Sequence, residues 1–330
     1  MKQLLPKTVW NMDNKELLDL LNSRYLLESK PKEIHFYAPS FMHYTTSYFH
    51  SSPTDFPTIS VTGQNCALKC KHCGGKVLNT MYSAATPKEL FELCMRLKHK
   101  GALGCLISGG CLPDGSVPLG KFIDSIEKVK RESDLTVIVH TGILDYNTTE
   151  KLRNARVDAA LIDIIGSDET IKEIYKLNLT VEAYENSLKA LHKTELAFVP
   201  HIIVGLHYGK LKGELHALKM ISGYQPSALV IIAFMPIHGT EMENVIPPKP
   251  IDIAKVISTA RLMFPQTPLA LGCMRPKGKH RIETDILAIR AGVNAVAFPT
   301  EEAVKFAEEQ GCTTTFSSIC CSQVYINLTV

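Results

Sequence analysis

From Pro57 onward, short blocks of aliphatic and β-branched residues alternate with longer stretches in which apolar side chains recur every three or four positions. The short blocks lie near 58–63, 104–109, 135–140, 158–164, 197–204, 228–235, 267–273 and 294–298. Several are almost continuously apolar, the pattern of strands buried on both faces. In the intervening stretches Phe122, Ile123, Ile126 and Val129 share one helical face, as do Ile253, Val256, Ile257 and Ala260. Eight strands separated by helices predict an α/β chain with a TIM-type (β/α)8 barrel, whose active site would lie at the C-terminal ends of the strands.

Before Pro57 the pattern is less regular. Asp13 to Leu27 carries Leu17, Leu18, Leu21 and Tyr25 at helical spacing, with Asp13 or Asn14 as the cap, and Ile34 to Tyr37 reads as a short strand. The stretch Pro39 to Pro57 is aromatic and bounded by prolines. Three regions are therefore expected: an extension over 1–56 covering one end or side of the barrel, the barrel over 57–300, and a last helix with a cysteine-rich tail over 301–330.

Charge narrows the function classes. The 36 basic and 33 acidic residues nearly cancel, so nothing global calls for nucleic acid or an anionic membrane. The first residues lack the apolar core of a signal peptide, and no apolar run is long enough to cross a bilayer, so a soluble cytoplasmic protein is expected. Ten cysteines without an export signal point to reduced thiols rather than disulfides.

The chemistry concentrates in one loop. Directly after the first barrel strand come Cys66, Cys70 and Cys73, spaced C-x3-C-x2-C. Structural zinc takes four ligands, whereas three thiolates on one loop hold three corners of a four-iron cluster and leave the fourth iron open. The segment closely resembles the signature of the radical SAM superfamily, in which S-adenosylmethionine (SAM) fills that open position. His72 stands where that family usually has an aromatic residue and is expected to pack beside the cluster. Cys94, on a stripe with Leu90 and Leu97, and Cys105, inside a strand, read as buried packing.

The resemblance also implies a SAM site at the strand ends: Ser108, Gly109 and Gly110 after the second strand for the methionine amino group, Asp163 after the fourth for the ribose, and Val204 in a Val-Gly-Leu turn beside the adenine. A loop Pro236-Ile237-His238-Gly239-Thr240 after the sixth strand resembles biotin synthase in particular. Departures matter as much. Biotin synthase holds a second, two-iron cluster by inner-strand cysteines and an arginine; Arg275 matches the arginine's strand, but Val139 or His140 and Val199 stand where sulfurs belong. Glu182 occupies a place where biotin synthase has an arginine for the SAM carboxylate.

The chain offers other thiols instead. Cys273, Cys312, Cys320 and Cys321, with Cys111 as substitute, are the expected ligands of an auxiliary [4Fe-4S] cluster, the tail folding back over the barrel mouth to bring them there; a tail of this kind, with the pair Ser317-Ser318, is similar to lipoyl synthase. The whole chain looks most like archaeal biotin synthase-like proteins that form a two-protein lipoyl synthase. That likeness implies a radical SAM sulfurtransferase acting on a protein-bound octanoyl-lysine, with a second radical SAM protein, an octanoylated lipoyl carrier domain and an electron donor such as ferredoxin as partners. The run Arg275-Pro276-Lys277-Gly278-Lys279-His280-Arg281 is a candidate dock for an acidic carrier. The alternatives are sulfur insertion or another radical reaction on a free small molecule, and an iron–sulfur scaffold.

Overall fold

The computed structural model describes residues 4–23 and 31–328. One parallel sheet of eleven strands runs through it: β1 (Glu33–Tyr37), β2 (Thr58–Ser60), β3 (Tyr82–Ser83), β4 (Gly104–Ser108), β5 (Thr136–His140), β6 (Ala159–Asp163), β7 (Phe198–Val204), β8 (Leu229–Ala233), β9 (Leu269–Leu271), β10 (Ala295–Ala297) and β11 (Thr313–Ser317). The spatial order is β11-β1-β10-β9-β8-β7-β6-β5-β4-β2-β3. All eight expected barrel strands are present, in chain order from β2 and β4 to β10. The hydrogen-bonded ladder does not close, and β3 and β11 are its edges.

Two of the three additions come from outside the barrel sequence; the third, β3, lies within it and pairs with β2 through Ile59 and Tyr82. β1, expected in the extension, pairs with β10 through His35 and Ala295, and β11 pairs in turn with β1 from Glu33 opposite Thr313 to Tyr37 opposite Ser317. Asp13 caps the helix Asn14–Asn22 by accepting from Lys15 N and Glu16 N, and Leu17 and Leu21 are buried while Leu18 is exposed. Tyr25 and Leu27, expected in the same helix, lie outside the described residues.

Strand side chains alternate between two cores, as the period of two requires. The larger lies between sheet and helices and takes Ile107, Val139, Ile162 and Ile202; Cys94 and Cys105 are buried there, as expected. The smaller fills the interior, with Ile138, Leu161, Val199, Val230, Ala270 and Ala297 facing one another. The tail joins this inner core. Cys321 and Val324 are buried in it, Tyr325 Oη donates to Asp158 O at the start of β6, and Asn327 Nδ2 donates to Tyr37 Oη. The tail thus passes into the barrel rather than lying only across its mouth.

Candidate active site

The loop after β2 is held against the loop after β4 by backbone. Ala67 N donates to Cys111 O at 2.9 Å, and Gly110 N donates to Thr62 Oγ1 at 2.7 Å. A Cβ at Gly110 would fall 2.0 Å from Asn65 O and 2.7 Å from Cys66 Cα, so the close approach of the two loops needs glycine. The cysteine loop is tied to other strand ends as well: Lys71 N donates to Ile174 O, Lys71 Nζ to Tyr208 Oη, and Lys76 Nζ to His238 O.

This frame gathers the thiols. Cys70, His72 and Cys73 bring ligand atoms within 4.8 Å of one another, and Cys66 meets Cys111. The contact with Cys111 lowers the Cys66 thiol to about 5 against burial, helped by the backbone N–H groups of Lys69 and Leu68. Cys73 is lowered to about 4, chiefly by Cys70 and then by His72, while Cys70 and Cys111 are pushed up by the thiols they partner and by burial. The pairs share protons. Cys66 and Cys73 are thereby biased toward the thiolate, the form that ligates iron. His72 packs on Tyr175 with ring centroids 5.2 Å apart, and His72 Nδ1 and Tyr175 Oη are buried with no hydrogen-bond partner among the described residues. Thiolate donors, a glycine cradle and orphaned polar atoms beside them fit a cluster with a polar ligand at this spot.

Of the expected SAM contacts, four converge on the mouth. Ser108 Oγ donates to His140 O, and Gly110 N–H is taken by Thr62, leaving the glycine carbonyls for a ligand amine. Asp163 ends β6 with its side chain inward. Burial pushes its carboxyl up, but His140, then His201 and His72, outweigh burial and hold it below the usual carboxylate range. Val204 is different: its side chain is buried in the sheet–helix core and its carbonyl accepts from Phe234 N.

Residues 60–211 match the radical SAM superfamily. The biotin synthase of Prochlorococcus marinus is 24% identical over 251 residues, which cover 73% of this chain and 73% of that protein. The 3-methylornithine synthase of Methanosarcina barkeri is 22% identical over 232 residues, covering 70% of this chain and 65% of that one. The chain is a radical SAM, biotin synthase-like protein. Among solved structures, this radical SAM protein is similar in fold to a methylornithine synthase (TM-score 0.63, 18% identity, covering 94% of this chain and 93% of that one). It is similar also to HydG, a maturase of the [FeFe]-hydrogenase (TM-score 0.66, 15% identity, covering 99% and 74%). Membership of the superfamily implies a [4Fe-4S] cluster and SAM.

The remaining cysteines of the radical SAM protein divide. Cys273 follows β9, and with Cys320 and Cys321 it packs in or against the inner core. Cys320 is lowered to about 7, mainly by Cys321 and helped by Ser322 Oγ, which donates to its sulfur at 3.1 Å. Burial, reinforced by Cys320, pushes Cys273 up to about 11. Cys312 does not join them: it precedes β11, its Sγ lies 3.7 Å from Pro31 O, and five extended residues of about 3.3 Å each separate it from the turn that enters the barrel. Cys111 belongs with Cys66, so it is no substitute in the tail group.

Two other expectations change. Arg275 is fully buried, with Nε 2.6 Å from Asp285 Oδ1, Nη1 on Gly272 O and Nη2 on Phe298 O, so it is a structural tie rather than a free ligand; of the basic run after it, Lys277 and Lys279 are exposed. Glu182 is exposed in the first turn of the helix Val181–Thr194, where a carboxylate complements the helix dipole. The sequence reading missed His201, Tyr175 and Tyr184 as site residues, and it weighed His140 only as a missing sulfur. Strand parity was the available signal for the histidines, since His140 follows inward Ile138 by two and His201 follows inward Val199 by two.

No helix of the described residues is long and apolar enough to cross a membrane.

Proposed function

We propose that this protein is a radical SAM sulfur-insertion enzyme that carries out one step of lipoyl cofactor synthesis on a protein-bound octanoyl-lysine. When bound, the cluster and SAM supply a 5′-deoxyadenosyl radical able to take hydrogen from an unactivated carbon. Cys66, Cys70 and Cys73 would hold the cluster, the Gly109 and Gly110 carbonyls the SAM amino group, and one Asp163 oxygen the ribose. Val204 would bound the adenine through backbone. The tail, with Phe41 and Phe49 packed against the same inner core, would help exclude water and so protect a radical from quenching.

The observation that carries sulfur insertion is the convergence of Cys273, Cys320 and Cys321 inside the barrel. An auxiliary cluster held there would supply the sulfur; with Cys312 distant, one of its ligands would be a residue other than cysteine. Lys277 and Lys279 offer an acidic carrier domain a modest electrostatic foothold, worth more in encounter rate than in affinity. The relatives named biotin synthase and 3-methylornithine synthase favour a second reading, a radical reaction on a free small molecule.

Anaerobic reconstitution followed by an iron count separates one cluster, about four irons per chain, from two, about eight. Mass spectrometry of an octanoyl-lysine peptide after turnover, with and without a second radical SAM protein, should show added sulfur. Release of 5′-deoxyadenosine with an unmodified peptide and about four irons favours the small-molecule reading. Substituting Cys66, Cys70 or Cys73 by Ser should abolish 5′-deoxyadenosine release.

A further inference from the structure

Below the cysteine loop, three adjacent strands end in inward side chains that meet: His140 on β5, Asp163 on β6 and His201 on β7. One ligand atom from each lies within 4.8 Å of the other two. Register explains the convergence, because Asp163 stands directly opposite His201 across the β6–β7 ladder and His140 opposite Leu161, two residues before Asp163 on the same face.

Within this group His140 and Asp163 form a loose ion pair rather than a short hydrogen bond. His140 Nε2 lies 3.5 Å from Asp163 Oδ1. That is long for a hydrogen bond. It is close to the ~3.4 Å edge of a tetrahedron whose metal–nitrogen and metal–oxygen bonds are about 2.1 Å. His201 Nδ1 lies 3.1 Å from Val199 O, and since a carbonyl only accepts, that nitrogen carries the proton. That tautomer leaves a bare lone pair on Nε2, and no hydrogen bond to it exists among the described residues. A ring fixed by a backbone carbonyl with its other nitrogen bare is how metal-binding imidazoles are oriented. The two rings are inclined at 67° with centroids 5.8 Å apart, so they are not stacked.

We propose that His140, Asp163 and His201 bind a single divalent first-row transition metal ion, with two imidazoles and one carboxylate oxygen on one face and the remaining positions open to the interior. Two histidines and one carboxylate with open positions suit iron(II) and its neighbours in the series, whereas calcium and magnesium want oxygen donors. The second Asp163 oxygen stays available to a ribose, so the ion would sit between the SAM site and the interior, where a substrate heteroatom can reach it. The site uses no cysteine, and Cys320 is its neighbour on the His140 side.

The test runs in two arms on the full chain. In the first, Cys66, Cys70, Cys73, Cys273, Cys320 and Cys321 are all replaced by Ser, removing the colour of either cluster and the competing thiols, and cobalt(II) is titrated under anaerobic conditions. Saturation of visible ligand-field bands at one cobalt per chain is expected. His140→Ala, His201→Ala and the near-isosteric Asp163→Asn, added singly, should each weaken binding by about tenfold or more. Circular dichroism of each variant confirms that it is folded. In the second arm the unsubstituted chain with its cluster assembled is dialysed against zinc, and metal analysis should show one zinc beyond the cluster iron, lost in Asp163→Asn. Absence of stoichiometric cobalt binding, or binding that all three substitutions leave unchanged, overturns the proposal without touching the radical SAM assignment.

Discussion

A methyl group has no place at Gly110, where it would fall 2.0 Å from a backbone oxygen that cannot retreat without moving the cysteine loop. Gly110→Ala should therefore separate the loops after β2 and β4, at a cost of about 1–3 kcal/mol in stability. SAM binding to the reconstituted protein, followed by the change in the cluster's electron paramagnetic resonance signal, should weaken further than Gly120→Ala, whose Cβ meets nothing within 4 Å. Glu214 makes a second residue-scale prediction. Burial is the main reason its carboxyl rises from 4.5 to about 7, with the Gly205 N–H partly offsetting. A carboxyl raised by folding holds a proton that the unfolded chain releases, so its stabilising effect is complete below about pH 4.5 and is lost as pH rises through about 7. The shift corresponds to about 3 kcal/mol. Urea denaturation should show stability falling over that window, and Glu214→Gln should flatten the slope.

Between elements, the Arg275–Asp285 pair is a fully buried tie. It fastens the loop after β9 to the helix Lys279–Arg290, and Asp285 Oδ2 accepts from Thr300 N beyond β10. Asp285→Ala leaves a fully buried guanidinium unpaired and should cost about 3–5 kcal/mol. Replacing Arg275 and Asp285 together by Met and Leu should recover much of that loss, measured by thermal unfolding, because the pair itself repays its desolvation poorly. The sites of these elements are local properties: the eight apolar blocks each became a strand within a few residues of the expected bounds, since burial on both faces leaves a continuous apolar run. β11 escaped notice for the converse reason. Thr313 to Ser317 is polar and half exposed, and it is a strand because β1 offers an unpaired edge.

At the scale of the whole molecule, the tail is interior material. Cys321 and Val324 are buried among side chains from β5 to β10, and Tyr325 reaches the far end of the barrel at Asp158. A chain ending at Ser317 would leave that space empty, and its unfolding midpoint should fall by about 5 °C or more in calorimetry. If Cys320 and Cys321 also hold iron, the truncated chain should retain about four irons where the full chain holds about eight. An unchanged midpoint would mean that the tail merely rests on the barrel.

By itself the sequence determined where the eight barrel strands lie and which three cysteines share a loop, because both follow from spacing over a few residues. The glycine pair at 109–110 was legible for the same reason. Only the tertiary structure decided what meets across the barrel. Cys111 faces Cys66, His140 and His201 flank Asp163, Arg275 is consumed by Asp285, and Cys312 is left a strand's length from Cys320. The meeting of His140, Asp163 and His201 depends on register between strands, where a shift of one residue would turn the same side chains to the opposite face, and the others depend on how distant loops and the tail pack.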